Sequence, residues 1–129
     1  MNDSRILNIA TFLKVSKNLI KIISDKFPYN KQIMTMKSQV LYYLSSFPSA
    51  SVDSISEYLL PFKDQIKNED ERFFVDMFNE NKQDLDQRTD TVSKLFSLGT
   101  EWNELDCETK KSLWMHVNRL IDLSECLQK

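Results

Sequence analysis

The stretch DSRILNIATFLKVSKNLIKIISDKFP, residues 3–28, decides the fold class. Asn2, Asp3 and Ser4 are all good N-caps, because a short polar side chain can satisfy an orphan amide of the first turn. The segment they open runs without Gly or Pro to Asp25 or Lys26. One apolar stripe is Ile6, Ile9, Leu13, Ile20 and Ile23, and a second is Phe12, Val15, Leu19 and Ile22. Together they cover about 200° of a helical wheel, roughly twice what a surface helix needs. The helix is therefore either central and packed on two sides, or it offers one stripe to another molecule. On the second alternative, Phe12, Val15, Leu19 and Ile22 form the candidate interaction surface. Lys14, Lys17 and Lys21 form the solvated face.

Working outward, Phe27-Pro28 ends this helix, since a residue before proline avoids the α region. Asn30 caps a second helix through about Ser45, with Ile33, Met34, Met36, Val40, Leu41 and Leu44 inward. Phe47-Pro48 repeats the stop, and Ser51 or Ser54 caps a short helix carrying Val52, Ile55, Tyr58 and Leu59 that Pro61 breaks or kinks. Asn68-Glu69-Asp70-Glu71 reads as a further helix start leading into Phe73, Phe74, Met77 and Phe78. Residues 79–91 are polar and acidic and read as a surface loop or a solvated helix extension. Thr89 or Thr91 then caps a helix with Val92, Leu95, Phe96 and Leu98, closed near Gly99. Trp102 and Leu105 form a short turn. Asp106 caps the last helix, whose inward residues are Leu113, Trp114, Val117, Leu120, Ile121 and Leu127. The reading is a single all-α domain over residues 1–129, a bundle of about five to seven helices.

Composition agrees. The 129 residues contain one glycine, Gly99, whereas β-rich and loop-rich domains need glycine at positive-φ turns. The same scarcity excludes dinucleotide fingerprints and P-loops. With 41% hydrophobic and 28% charged residues the chain suits a packed core. No apolar run reaches the ~18 residues of a membrane span, and Asp3 stands where a secretory signal has basic residues. Charge is uneven. Residues 1–67 hold 9 Lys/Arg and 5 Asp/Glu, net +4, and residues 68–129 hold 8 and 14, net −6, which sums to the −2 of the chain.

The candidate chemical groups are few. His116 is the only histidine and falls at the edge of the last helix's apolar face, so it reads as a boundary residue. Zinc needs three or four ligands, and no Cys-x-x-Cys or His-x-x-x-His spacing exists. Cys107 and Cys126, 19 positions apart on one helix, lie roughly 30 Å apart and read as free thiols. The acids Glu69, Asp70, Glu71, Asp76, Glu80, Asp84, Asp86 and Asp90 lack the glycine of a calcium loop and have Arg88 among them. No nucleophile elbow is present. Lys14, Lys17, Lys21, Lys26, Lys31 and Lys37 make a basic stripe. With Arg5 the only arginine of that half and a pI near 5.4, the pattern argues against nucleic acid as a partner. Phe73, Phe74, Phe78, Phe96, Trp102 and Trp114 read as core. These readings imply no enzyme, no cofactor, no metal and no small-molecule substrate. They point instead to a protein partner or self-association.

One run resembles a known pattern. Glu69-Asp70-Glu71-Arg72-Phe73-Phe74, Phe96, Trp102-Asn103-Glu104-Leu105, Lys110-Lys111-Ser112-Leu113-Trp114 and Leu120 resemble uncharacterised helical proteins of nucleocytoplasmic large DNA viruses. The match covers the C-terminal half. It departs at Met115, His116 and Val117, where that pattern has a tyrosine. The resemblance implies a helical fold, a viral origin and a place in the host cytoplasm or the virion, but no activity. Three roles fit it: an interaction module, a virion structural component such as a minor capsid or core protein, and a helical-bundle regulator of host death or immune signalling.

Overall fold

The computed structural model describes residues 2–72 and 99–128, and among them every regular element is helical. The elements are α1 (Asn2–Lys26), α2 (Lys31–Ser46), α3 (Pro48–Leu59), a 3-10 turn (Leu60–Phe62), the single-turn α4 (Lys63–Lys67), a second 3-10 turn (Gly99–Glu104) and α5 (Cys107–Gln128). The expected helices over Phe73–Phe78 and Val92–Leu98, and the expected polar loop at 79–91, lie outside the described residues. Of the five to seven expected helices, the described residues hold four of twelve residues or more and the short α4.

The central element is α1. It packs on α2, α3 and, most extensively, α5. Two contacts fix the α1–α5 pairing as antiparallel and in register. Arg5 Nη1 donates to Leu127 O at 2.9 Å, and Lys26 Nζ lies 3.7 Å from Asp106 Oδ1 at the opposite end. Arg5 to Lys26 and Asp106 to Leu127 are both separations of 21 positions, so the two helices match in length. Between these brackets, Phe12, Leu19, Ile20 and Ile23 meet Leu113, Val117, Leu120 and Ile121 in one connected apolar core.

The stops expected at Phe27-Pro28, Phe47-Pro48 and Pro61 appear, with two corrections to the expected caps. The Asn30 side chain accepts from Ile33 N at 3.1 Å and caps α2. Phe47 closes α2 and opens α3 with no residue between, because Pro48 sits in the first turn of α3, where a missing N–H costs nothing. Ser51 is therefore not a cap. Its buried Oγ lies 2.7 Å from Phe47 O and 3.0 Å from Tyr43 O, pinning the α2–α3 corner. Pro61 converts the end of α3 to a 3-10 turn, and α4 follows with Ile66 fully buried.

Asn68 is the C-cap of α4 rather than the cap of a following helix. Glu69 N donates to Ile66 O at 3.1 Å and Asp70 N to Gln65 O at 2.9 Å, the two bonds of a Schellman ending. That ending places Glu69 at φ 52°, the only non-glycine positive φ among the described residues. Asp70 then caps locally, its Oδ1 accepting from Arg72 N at 3.0 Å.

The segment from α3 to α4 runs along α5. Ser56 Oγ donates to Ser124 Oγ at 2.9 Å, and Ser124 Oγ donates to Leu120 O at 2.7 Å, so two buried hydroxyls satisfy one another. Outside this pair, Lys63 binds Glu125 at 2.9 Å, Lys67 binds Asp122 at 2.6 Å, and Asn118 Nδ2 reaches Ile66 O at 3.4 Å. A β-carbon at positive φ strains the backbone, and glycine relieves that strain at some entropic cost. Glu69→Gly is therefore expected to raise the unfolding free energy by about 0.5–1 kcal/mol, read as a higher urea midpoint at unchanged slope.

Candidate functional site

The candidate surface Phe12, Val15, Leu19 and Ile22 is not a surface. Phe12 is 0%, Val15 5% and Leu19 1% exposed, and Ile22 is partly buried against the same core. From Ile9 onward the wide apolar arc of α1 is consumed by packing on three helices, which is the first of the two alternatives its width allowed. The exposed apolar groups lie elsewhere. Ile6 protrudes from the first turns of α1, because α1 has 25 residues and α2 only 16, about 37 Å against 24 Å of helix, and Leu7 is exposed on the lysine face. Met34, expected inward, is on the exposed side of α2. Tyr42 on α2 is 68% exposed, and Phe47 at the α2–α3 corner is 50% exposed with its ring 5.8 Å from that of Tyr43. Met115 is exposed on α5.

Sequence reasoning passed over Tyr42 and Phe47. The usable signal for Tyr42 was its position on the wheel, about 180° from Ile33 and so opposite the buried stripe of α2. Phe47 carried no such signal, because its place is set by the back-to-back joining of α2 and α3.

The reactive side chains are dispersed. His116 is half-buried on α5, and its Nδ1 donates to Ser112 O at 2.7 Å, so one ring nitrogen is engaged by its own helix. Cys107 and Cys126 are free and exposed. Among the described residues no three His, Cys, Asp or Glu side chains gather where they could hold a metal ion. Of the acidic cluster only Glu69, Asp70 and Glu71 are described, and Glu71 Oε1 lies 3.6 Å from Lys110 Nζ. Lys110 also stands 5.4 Å above the Trp102 ring. Trp102 and Trp114 meet edge to face at 5.6 Å in the core, as expected; Phe73, Phe74, Phe78 and Phe96 lie outside the described residues.

Electrostatics tighten both ends of α5. Asp106 Oδ1 accepts from Thr109 Oγ1 in the first turn, and this bond, reinforced by Lys26, holds the carboxyl below the usual 3.8. At the other end, the hydrogen bond and charge of Glu125 hold the Lys63 ammonium above the usual lysine value.

No family model matches the chain, and neither the curated proteins nor the solved structures contain a match.

Two outcomes follow from this geometry. Leu19→Ala is expected to cost about 2–5 kcal/mol in urea unfolding, because it opens a cavity in the core. Asp106 acts at the acid end. Its folded pKa is depressed, so its contribution is complete above 3.8 and is lost as pH falls through the folded value. Urea midpoints of the wild type should therefore fall more steeply than those of Asp106→Asn as pH drops from about 5 to 2.

Proposed function

We propose that the chain is a non-enzymatic helical module that binds a protein partner through the outer face of α2 and its corner with α3. The observation that carries this reading is the exposure of Tyr42 and Phe47 on a domain whose core is already closed without them. Large aromatic groups dominate the energetics of protein interfaces because they bury much area at a small cost in side-chain freedom. The Tyr43–Phe47 ring contact and the Ser51 bonds hold Phe47 in place, which reduces the ordering cost of binding. Among the described residues, Asn30, Asp70 and Asp106 serve as caps, and Ser56, Ser124, Lys63, Lys67 and Asn118 tie helices to one another.

The resemblance of the C-terminal half to helical proteins of large DNA viruses supports placing this module in an infected cell or a virion. Either setting supplies a protein partner, whether of the host, of the particle or a second copy of the chain.

The test is capture of the tagged full chain from its own cellular setting, set beside the double variant Tyr42→Ser, Phe47→Ser. Tyr42 is exposed and Phe47 half-exposed, so the variant should keep the wild-type helical circular dichroism. It is expected to lose the captured partner, with affinity reduced by more than about tenfold. Undiminished capture by the variant removes α2 as the binding face. A solution mass of 15.2 kDa for the isolated chain excludes self-association as the mode of binding.

A further inference from the structure

A second face of the molecule has a different chemistry. On α1 the exposed residues Leu7, Ala10, Lys14, Lys17 and Lys21 recur at alternating spacings of three and four, which places them in one straight stripe. The stripe is about 21 Å long, aliphatic at its first turn and cationic over the rest. Leu7 is 66% exposed, and Ile6 beside it 63%. Lys14, Lys17 and Lys21 make no ion pair among the described residues, although Lys26, Lys63, Lys67 and Lys110 all do. From Ser4 to Ser24 the helix contains no Asp or Glu, so nothing on it neutralises the stripe before Asp25.

We propose that this stripe seats the protein on an anionic bilayer surface. Three unpaired lysines on one convex line match a plane of anionic headgroups, where each ammonium is attracted without needing a shaped partner. The composition disfavours the competing occupants. Protein interfaces are depleted in lysine and rely on aromatic and arginine anchors, and the stripe has neither. Nucleic-acid grooves favour arginine and aromatic stacking, which are equally absent. Aliphatic Ile6 and Leu7 supply what a lipid surface adds to charge, an apolar end that enters the headgroup boundary. The opposite side of α1, with Phe12, Leu19 and Ile23, is locked into the core, so the helix lies on the surface as part of the domain. No described helix is long and apolar enough to cross the bilayer. With no acid from Ser4 to Ser24, the charge of Lys14, Lys17 and Lys21 favours the orientation that turns this face of α1 toward an anionic plane.

Sedimentation of the full chain with vesicles tests this, using phosphatidylcholine alone and phosphatidylcholine with about one third phosphatidylserine. The chain is expected in the pellet with the anionic vesicles only, and to be released as salt is raised from about 50 to 500 mM. Lys14→Gln, Lys17→Gln and Lys21→Gln together should weaken partition by about a hundredfold, roughly fivefold per lysine. The matching triple arginine variant should retain it, and Leu7→Ser should weaken it without changing the salt dependence. All four positions are exposed, and circular dichroism checks that each variant keeps its helices. Absence of the wild type from the anionic pellet at low salt overturns the proposal. So does equal sedimentation of the glutamine variant.

Discussion

The structure depends on the burial of α1 from all sides but one. A helix with apolar residues over half its circumference cannot satisfy them against a single neighbour. It needs α5 along its length, α2 folded back through the Phe27–Asn30 turn, and α3 behind them. Phe12, Leu19, Ile20 and Ile23 are the contacts that make these packings one core. The remaining elements adjust to that requirement. The two prolines after phenylalanine turn the chain quickly enough to keep α2 and α3 beside α1, and the α3–α4 strand of connections is tied along α5 by serine, asparagine and lysine.

The buried hydroxyls of Ser24, Ser51, Ser56 and Ser124 are all bonded, whereas that of Ser16 finds no partner among the described residues. Ser56 and Ser124 meet across the α3–α5 interface with one hydroxyl donating to the other and the second to a backbone carbonyl. Small side chains there let the helices approach closely, and the hydrogen bonds offset the cost of burying two hydroxyls. The ion pairs lie at the rim and are exposed, as Lys63–Glu125 and Lys67–Asp122 show. Such pairs contribute little to stability singly, yet they select one register of the α4 segment on α5 over its neighbours.

Much of the fold was legible in the sequence, and the failures have physical causes. The limits of α1, the Asn30 cap, the break at Pro61, the Trp102 turn and the Asp106 cap all follow from local chemistry, and all are found. Ser51 and Asn68 were misplaced because a capping residue type shows neither that it stands at a helix end nor which end it serves. Pro48 at a first turn and Glu69 in a Schellman ending decided those two. Ile6 was expected inward because periodicity ignores how far the neighbouring helix extends, and Met34 because it stands about 100° from Ile33, beside the buried stripe of α2. The candidate site was less legible than the fold. An over-wide apolar arc has two meanings, extra packing or an open face, and only the arrangement of the other helices separates them. The exposed residues that remained, Tyr42, Phe47 and the Leu7–Lys21 stripe, are defined by what fails to cover them, and that is a property of the assembled domain.

The equal spans of α1 and α5 constrain how this protein can change over time. One residue inserted within either helix shifts everything beyond it by about 1.5 Å and turns it by about 100°. Arg5 would then miss Leu127 or Lys26 would miss Asp106, and part of the buried arc of α1 would be exchanged for its lysine face. Substitutions at the exposed positions carry no such penalty. Related chains should therefore differ in these two helices by replacement alone, while differences in length collect in the connections, where no register has to be kept.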